Sequence, residues 1–252
     1  MERQRPAVGA RGPWSSDGSV RAFRRKREQE PGHTMSIIKE LSELGKGMIE
    51  KGLVVGPGGN ISGREGRHVY LSPTGYDVDR IKPKEWSVID LEREKQVGGL
   101  KPTCEVEMHL RIFKARPDVR LICHAHPATT VGIISAGRRI LPFTPDFVAL
   151  VDRVEYLPYI APAGHELAVA VEKAFRKNVN CVCLGNHGAI TVGRSVREAL
   201  TRMVVLEDQA RTMLAACIAG KPRPLTPREQ DGIRHMDAET YRKKLLAKGD
   251  RP

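Results

Sequence analysis

The chain has 252 residues, 29% charged, 40% hydrophobic and only 5% aromatic, with a net charge of +12. That composition suits a globular protein, and no apolar run approaches the roughly 18 residues of a membrane span. Five cysteines without a paired framework point to the cytoplasm rather than to secretion, and the absence of a basic stripe interleaved with aromatics argues against nucleic acid as a partner.

Residues 1–34 differ from the rest. They hold eight Arg/Lys against four Asp/Glu, are rich in Arg, Gly, Pro and Ser, and include the basic run Arg24-Arg25-Lys26-Arg27. Such a segment cannot bury enough apolar surface to offset its ordering entropy. It reads as a disordered basic leader or an over-long gene start, with Met35 as the beginning of one α/β domain over 35–252. The apolar stretch of a secretory signal is not expected there.

From Ser36 the pattern becomes helical. Ile37, Leu41, Leu44 and Met48 recur along one helix face, with Ser36 as N-cap and Gly52 as stop. Gly56-Pro57-Gly58-Gly59-Asn60 suits neither helix nor central strand. Segments 61–64 and 67–71 flank Glu65-Gly66 as a hairpin; Ser72-Pro73-Thr74-Gly75 makes a turn, and 88–91 a short strand. A helix is predicted over 104–115, stopping before Arg116-Pro117. Next come a strand over 121–126, a helix over 127–136, an extended segment 154–160, a helix over 166–176 and a strand over 180–184. Gly185-Asn186-His187-Gly188 turns the chain into a returning strand, 189–192. Ser195 and Glu198 predict a capping box opening a helix to about 219. Residues 222–252 form a tail with several prolines and a charged helix near 238–247. Hairpins interleaved with helices predict a mostly antiparallel sheet.

The chemistry-bearing residues centre on Leu121-Ile122-Cys123-His124-Ala125-His126. A strand sends alternate side chains to one face, so His124 and His126 point together and Cys123 and Ala125 face away. Two such imidazoles can share an ion at about 2.0–2.1 Å, given a third ligand. His187, in the glycine-flanked turn, is the candidate; three histidines with a fourth position open is the ligand count of a catalytic zinc. Glu105 opens a predicted helix, where the dipole favours a carboxylate, and is the candidate acid–base group. Glu107 falls on another face, whereas His109 lies one turn on from Glu105. Gly58-Gly59-Asn60, Ser72, Thr74-Gly75 and Thr103 supply backbone donors, hydroxyls and an amide suited to a phosphate, without P-loop or GxGxxG spacing. Cys181 and Cys183 are one residue too close for a zinc knuckle and are assigned to a buried strand. Each feature alone also has an ordinary reading as a strand end, a turn or a helix start.

Taken together, Gly59-Asn60-Ile61-Ser62, Ser72-Pro73-Thr74-Gly75, Thr103-Cys104-Glu105, His124-Ala125-His126 and Asn186-His187-Gly188 resemble the class II aldolase/adducin family, and within it the fuculose-phosphate aldolase-like enzymes. The resemblance spans roughly residues 36–215. It implies a three-layer α/β fold, a central, mostly antiparallel sheet flanked by helices, and a homotetramer with active sites at subunit interfaces. It implies that His124, His126 and His187 hold Zn2+ (or another divalent metal such as Mn2+ or Co2+) and that Glu105 is the catalytic carboxylate. Gly59, Asn60, Thr74, Gly75, Thr103 and Cys104 correspond to the substrate-phosphate site. The implied activity is cleavage of a ketose 1-phosphate, such as L-fuculose 1-phosphate, to dihydroxyacetone phosphate and an aldehyde. Two departures stand out: Thr103-Cys104 replaces a pair of serines, and the tyrosine expected after the second histidine is missing. Around 142–148 the chain has Asp146 and Phe147 instead, leaving Tyr241 as a distant candidate. A sugar-phosphate decarboxylase, dehydratase or 4-epimerase on the same scaffold is the alternative, and a non-catalytic adducin-like binding module is another.

Overall fold

The computed structural model describes residues 36–248; the expected leader, 1–34, lies outside the described residues. Helix α1 (Ile37–Glu50) follows from the periodicity, with Ile37, Leu41, Leu44 and Met48 all buried. Ser36 holds the N-cap position, yet its side chain makes no capping bond; its carbonyl accepts from the Lys39 and Glu40 amides instead. Gly52, at φ 64°, follows the last turn, a conformation glycine adopts without steric cost.

The hairpin is β1 (Asn60–Glu65) and β2 (His68–Leu71), turning at Gly66. Strand β3 (Ser87–Asp90) continues the meander into β4 (Lys95–Gly98). β4 was not expected, since its polar, exposed residues carry no period-2 signal. Then come α2 (Val106–Ala115), β5 (Leu121–Ala125), α3 (Ala128–Ser135), a buried π-helical turn (Phe147–Val151) and β6 (Val154–Leu157). The chain continues through α4 (His165–Phe175), β7 (Cys181–Leu184), β8 (Gly188–Gly193), α5 (Val196–Ala219), α6 (Pro227–Arg234) and α7 (Asp237–Lys248).

The eight strands form one sheet in the order β4-β3-β2-β1-β5-β8-β7-β6. Every neighbouring pair is antiparallel except β6–β7, as the hairpin pattern predicted. Strand alternation sorts the core into two layers. On one face, Leu121, Cys123, Ala125, Cys181 and Cys183 pack with residues of α1 and α5. On the other, Ile122, Val182, Ile190 and Val192 pack with α2 and α4. Cys123 thus faces away from the side of His124, as expected, and the Cys181/Cys183 pair is core.

Two helix starts differ from expectation. α2 begins at Val106, leaving Glu105 at the N-cap with φ −95° and ψ 20°. Ser195 Oγ does accept from the Glu198 amide, but the Glu198 carboxylate reaches the Arg194 amide rather than closing the box on Ser195. The complete capping box belongs to α6, where Thr226 Oγ1 accepts from the Glu229 amide and Glu229 accepts from the Thr226 amide. Among the described residues no helix is long and apolar enough to cross a membrane.

Candidate metal centre

The chemistry gathers where β1, β5 and β8 run side by side. Strand register sets Asn60 opposite His124, and His124 opposite Ile190. His126 lies just past β5, its amide bonded to the Leu53 carbonyl. His187 occupies the β7–β8 turn, after Asn186 at φ 52°. The approach is close enough to exclude side chains. A Cβ on Gly188 would lie 2.4 Å from the Ala125 carbonyl oxygen and 2.7 Å from His126 Cδ2. One on Gly59, already at φ 71°, would lie 2.6 Å from the His124 carbonyl oxygen. Both glycines are required by the crossing of backbones around the histidines.

His124 Nδ1 donates to the Ala189 carbonyl at 3.0 Å, which turns the Nε2 lone pair toward the cluster. There Nε2 lies 3.2 Å from His126 Nε2, and the donor nitrogens of all three rings lie within 4.8 Å of one another. Two imidazole nitrogens this close need a proton or a metal cation between them. The spacing compares with the roughly 3.3 Å edge of a tetrahedron whose Zn–N bonds are 2.0–2.1 Å. Glu105 Oε2 is 3.2 Å from His124 Nε2, and Oε1 is 3.6 Å from His187 Nε2. Glu105 Oε1 and His187 Nδ1 are buried without a hydrogen-bond partner. Imidazole nitrogens with a carboxylate beside them form a donor set that fits a divalent ion.

The electrostatics agree with that fit. Burial disfavours the Glu105 anion, but His124, the Asn60 hydrogen bond and His187 outweigh it and hold the carboxyl well below its ordinary range. Burial, reinforced by the other two rings, lowers His126 to about 4 and also depresses His187. For His124, burial opposes the charged form, yet Glu105 and the Ala189 carbonyl raise the ring above its usual value. The centre therefore favours positive charge beside an ionised Glu105.

The expected phosphate residues lie on adjoining turns. Pro73 and Pro102 form a β-bridge; the Thr74 amide donates to the Lys101 carbonyl, and the Thr103 amide to the Ser72 carbonyl. Those two amides are committed to the backbone. Thr103 Oγ1 accepts from the Glu105 amide at 3.4 Å, Cys104 is exposed, and Gly75 (φ 79°) faces open space. Asn60 is turned toward Glu105 and His109. Tyr241 is exposed on α7, which packs on α5, α6 and the π-helical turn. Ser62 was assigned no role of its own beyond its place in the Gly59-Asn60-Ile61-Ser62 motif, although it is two positions from Asn60 and so shares its face of β1.

Residues 39–214 match the family model of the class II aldolase and adducin N-terminal domain. An L-fuculose phosphate aldolase of Methanococcus maripaludis is 32% identical over 164 residues, covering 65% of this chain and 88% of that protein. A 3-oxo-tetronate 4-phosphate decarboxylase of Haemophilus influenzae is 30% identical over 180 residues, covering 69% and 85%. A solved L-fuculose 1-phosphate aldolase superposes with a TM-score of 0.74 at 25% identity, covering 84% of this chain and 98% of that one. Fold, site and relatives define an α/β enzyme of the aldolase and lyase kind. The chain belongs to the class II aldolase and adducin family.

Proposed function

We propose that the protein is a metal-dependent aldolase that cleaves a ketose 1-phosphate to dihydroxyacetone phosphate and an aldehyde. The observation that carries this reading is Glu105: a buried carboxylate against His124 and His187, with one oxygen unpartnered. His124, His126 and His187 would hold Zn2+, or Mn2+ or Co2+ in its place. When bound, the ion supplies Lewis-acid stabilisation of negative charge on substrate oxygens.

Glu105 performs the proton transfer. In the condensation direction it takes a proton from the hydroxymethyl carbon of dihydroxyacetone phosphate. In cleavage the hydroxyl that becomes the aldehyde oxygen gives its proton to Glu105 as the C–C bond breaks, and Glu105 then delivers that proton to the same hydroxymethyl carbon, which has received the electron pair of the broken bond. Held ionised at rest, it begins as the base. The Thr74 and Thr103 hydroxyls, Gly75 and Cys104 lie on the turns assigned to the substrate phosphate, with Gly59 and Asn60 beside them. Active sites shared between subunits of a homotetramer, in the cytoplasm, complete the proposal.

The second reading is decarboxylation of a 3-oxo-tetronate phosphate. It is favoured by the similarity to the Haemophilus influenzae decarboxylase and by the absence of a tyrosine from 142–148. A panel of ketose 1-phosphates and 3-oxo-tetronate 4-phosphate with added Zn2+ separates the two. Release of dihydroxyacetone phosphate supports the aldolase; carbon dioxide from the tetronate alone replaces it with the decarboxylase. Glu105→Gln is expected to retain the metal while turnover falls by about 10²–10⁴-fold. Wild-type turnover in that variant removes Glu105 from the mechanism.

A further inference from the structure

Behind Glu105 runs an unbroken buried chain of hydrogen bonds. Asn60 Nδ2 donates to Glu105 Oε2 at 2.8 Å, Asn60 Oδ1 lies 2.5 Å from His109 Nε2, and Ser62 Oγ lies 2.6 Å from His109 Nδ1. All four residues are buried, with Ser62 and His109 inaccessible. The chain exists because two periodicities match. Asn60 and Ser62 are two apart on β1, a spacing of about 6.6 Å; Glu105 and His109 are four apart at the start of α2, a rise of about 6 Å. Each strand residue therefore meets its helix counterpart as α2 lies over β1.

The donors and acceptors pair in one sense along the chain. Asn60 presents its NH2 group to Glu105 Oε2, where the carboxylate oxygen accepts. Its Oδ1 then faces His109 and needs a donor, which places a proton on His109 Nε2. Nδ1 of the neutral ring is left as an acceptor, and Ser62 Oγ supplies its proton. With the other tautomer, His109 Nε2 would oppose Asn60 Oδ1. Flipping the amide would relieve that clash only by aiming Oδ1 at the Glu105 carboxylate. Burial, above all, lowers His109 to about 3, so the ring is neutral.

We propose that Ser62 and His109 are positioning residues for Glu105. Through Asn60 they pin Oε2 and leave Oε1, the oxygen facing His187, as the one that exchanges a proton with substrate. This rests on the proposed aldolase reading, and it is a role exercised at a distance, since neither residue need touch substrate.

The test compares Ser62→Ala, His109→Phe and His109→Gln with the wild type. Three measurements are made: solvent-deuterium exchange into dihydroxyacetone phosphate, zinc content, and ring 15N shifts in the metal-free protein. Ser62→Ala and His109→Phe are expected to lower kcat for exchange by about 10–100-fold, the usual cost of losing a supporting hydrogen bond at a metal site. KM and zinc content should hold. His109→Gln, whose amide can again donate to Asn60, should recover most of the loss. The 15N shifts should give the Nε2–H tautomer in the wild type and a mixture in Ser62→Ala. An Nδ1–H tautomer in the wild type overturns the chain, as do folded Ser62→Ala and His109→Phe variants at wild-type kcat. Loss of zinc in step with activity also overturns the proposal, because it assigns the residues to metal retention. Wild-type protein that exchanges no proton refutes the aldolase reading instead, and the tautomer then decides the hydrogen-bond chain separately.

Discussion

Replacing Gly188 by alanine probes the centre with a single methyl group. Its backbone lies outside the positive-φ region, so the substitution acts through space and not through dihedral strain. The new Cβ would stand 2.4 Å from the Ala125 carbonyl oxygen, 2.7 Å from His126 Cδ2 and 3.2 Å from His124 Cε1. Restoring even a tight 3.0 Å contact with the carbonyl requires at least 0.6 Å of movement, and both β5 and β8 are hydrogen-bonded on either side. Overpacking of this kind costs about 1–3 kcal/mol, which lowers Tm by roughly 2–12 °C for a chain of this size. The functional loss should be larger than the stability loss suggests. The groups that must yield include two of the three proposed ligands, and a displacement near 1 Å at a catalytic site costs on the order of 10²-fold. Zinc content after dialysis, kcat and thermal unfolding are measured together. A folded Gly188→Ala protein with wild-type zinc content and kcat refutes the argument that the β5–β8 crossing sets ligand geometry.

Gly132→Ala is the matched control. Gly132 lies exposed within α3, with open space where its Cβ would go, so unfolding should show a gain of about 0.5–1 kcal/mol and unchanged activity. Glu207 on α5 accepts from the Thr129 and Thr130 amides and from Thr130 Oγ1 at the start of α3. Burial opposes its charge, but these bonds prevail and lower its pKa. A depressed folded pKa stabilises above the unfolded value, about 4.3, and that contribution fades as pH falls through the folded one. Glu207→Gln should therefore cost about 1–3 kcal/mol at neutral pH, with denaturant unfolding converging on the wild type in acid. Chelation should abolish activity, and added Zn2+, Mn2+ or Co2+ should restore it; full activity in thoroughly chelated, metal-assayed protein would remove the metal from the mechanism.

Much of the fold was legible locally because it rests on short-range periodicity. The helical spacing of Ile37, Leu41, Leu44 and Met48 needs only neighbours on one turn. The alternation at Cys123 and His124 is likewise a property of any strand, and it sorted the histidine from the core cysteine correctly. β4 was missed because its polar edge residues show no period. α6 was missed although Thr226-Pro227-Arg228-Glu229 is a readable helix start; the capping box was instead assigned to Ser195, where the Glu198 carboxylate turns to a different amide.

The candidate ligands and the candidate base were legible from residue order, since His-x-His and a carboxylate at a helix start are chemical types at fixed local spacings. How they face one another depends on the fold. Asn60 and Glu105 are separated by 45 positions, and His124 meets His187 through the β7–β8 return beside β5. Those meetings depend on strand register, and a shift of one residue would turn every side chain to the opposite face. The same dependence settled which way Asn60 points. Its sequence context offered an amide for a phosphate, and its place between β1 and α2 also gives that amide Glu105 and His109 as partners, because buried donors and acceptors must find partners where the packing puts them.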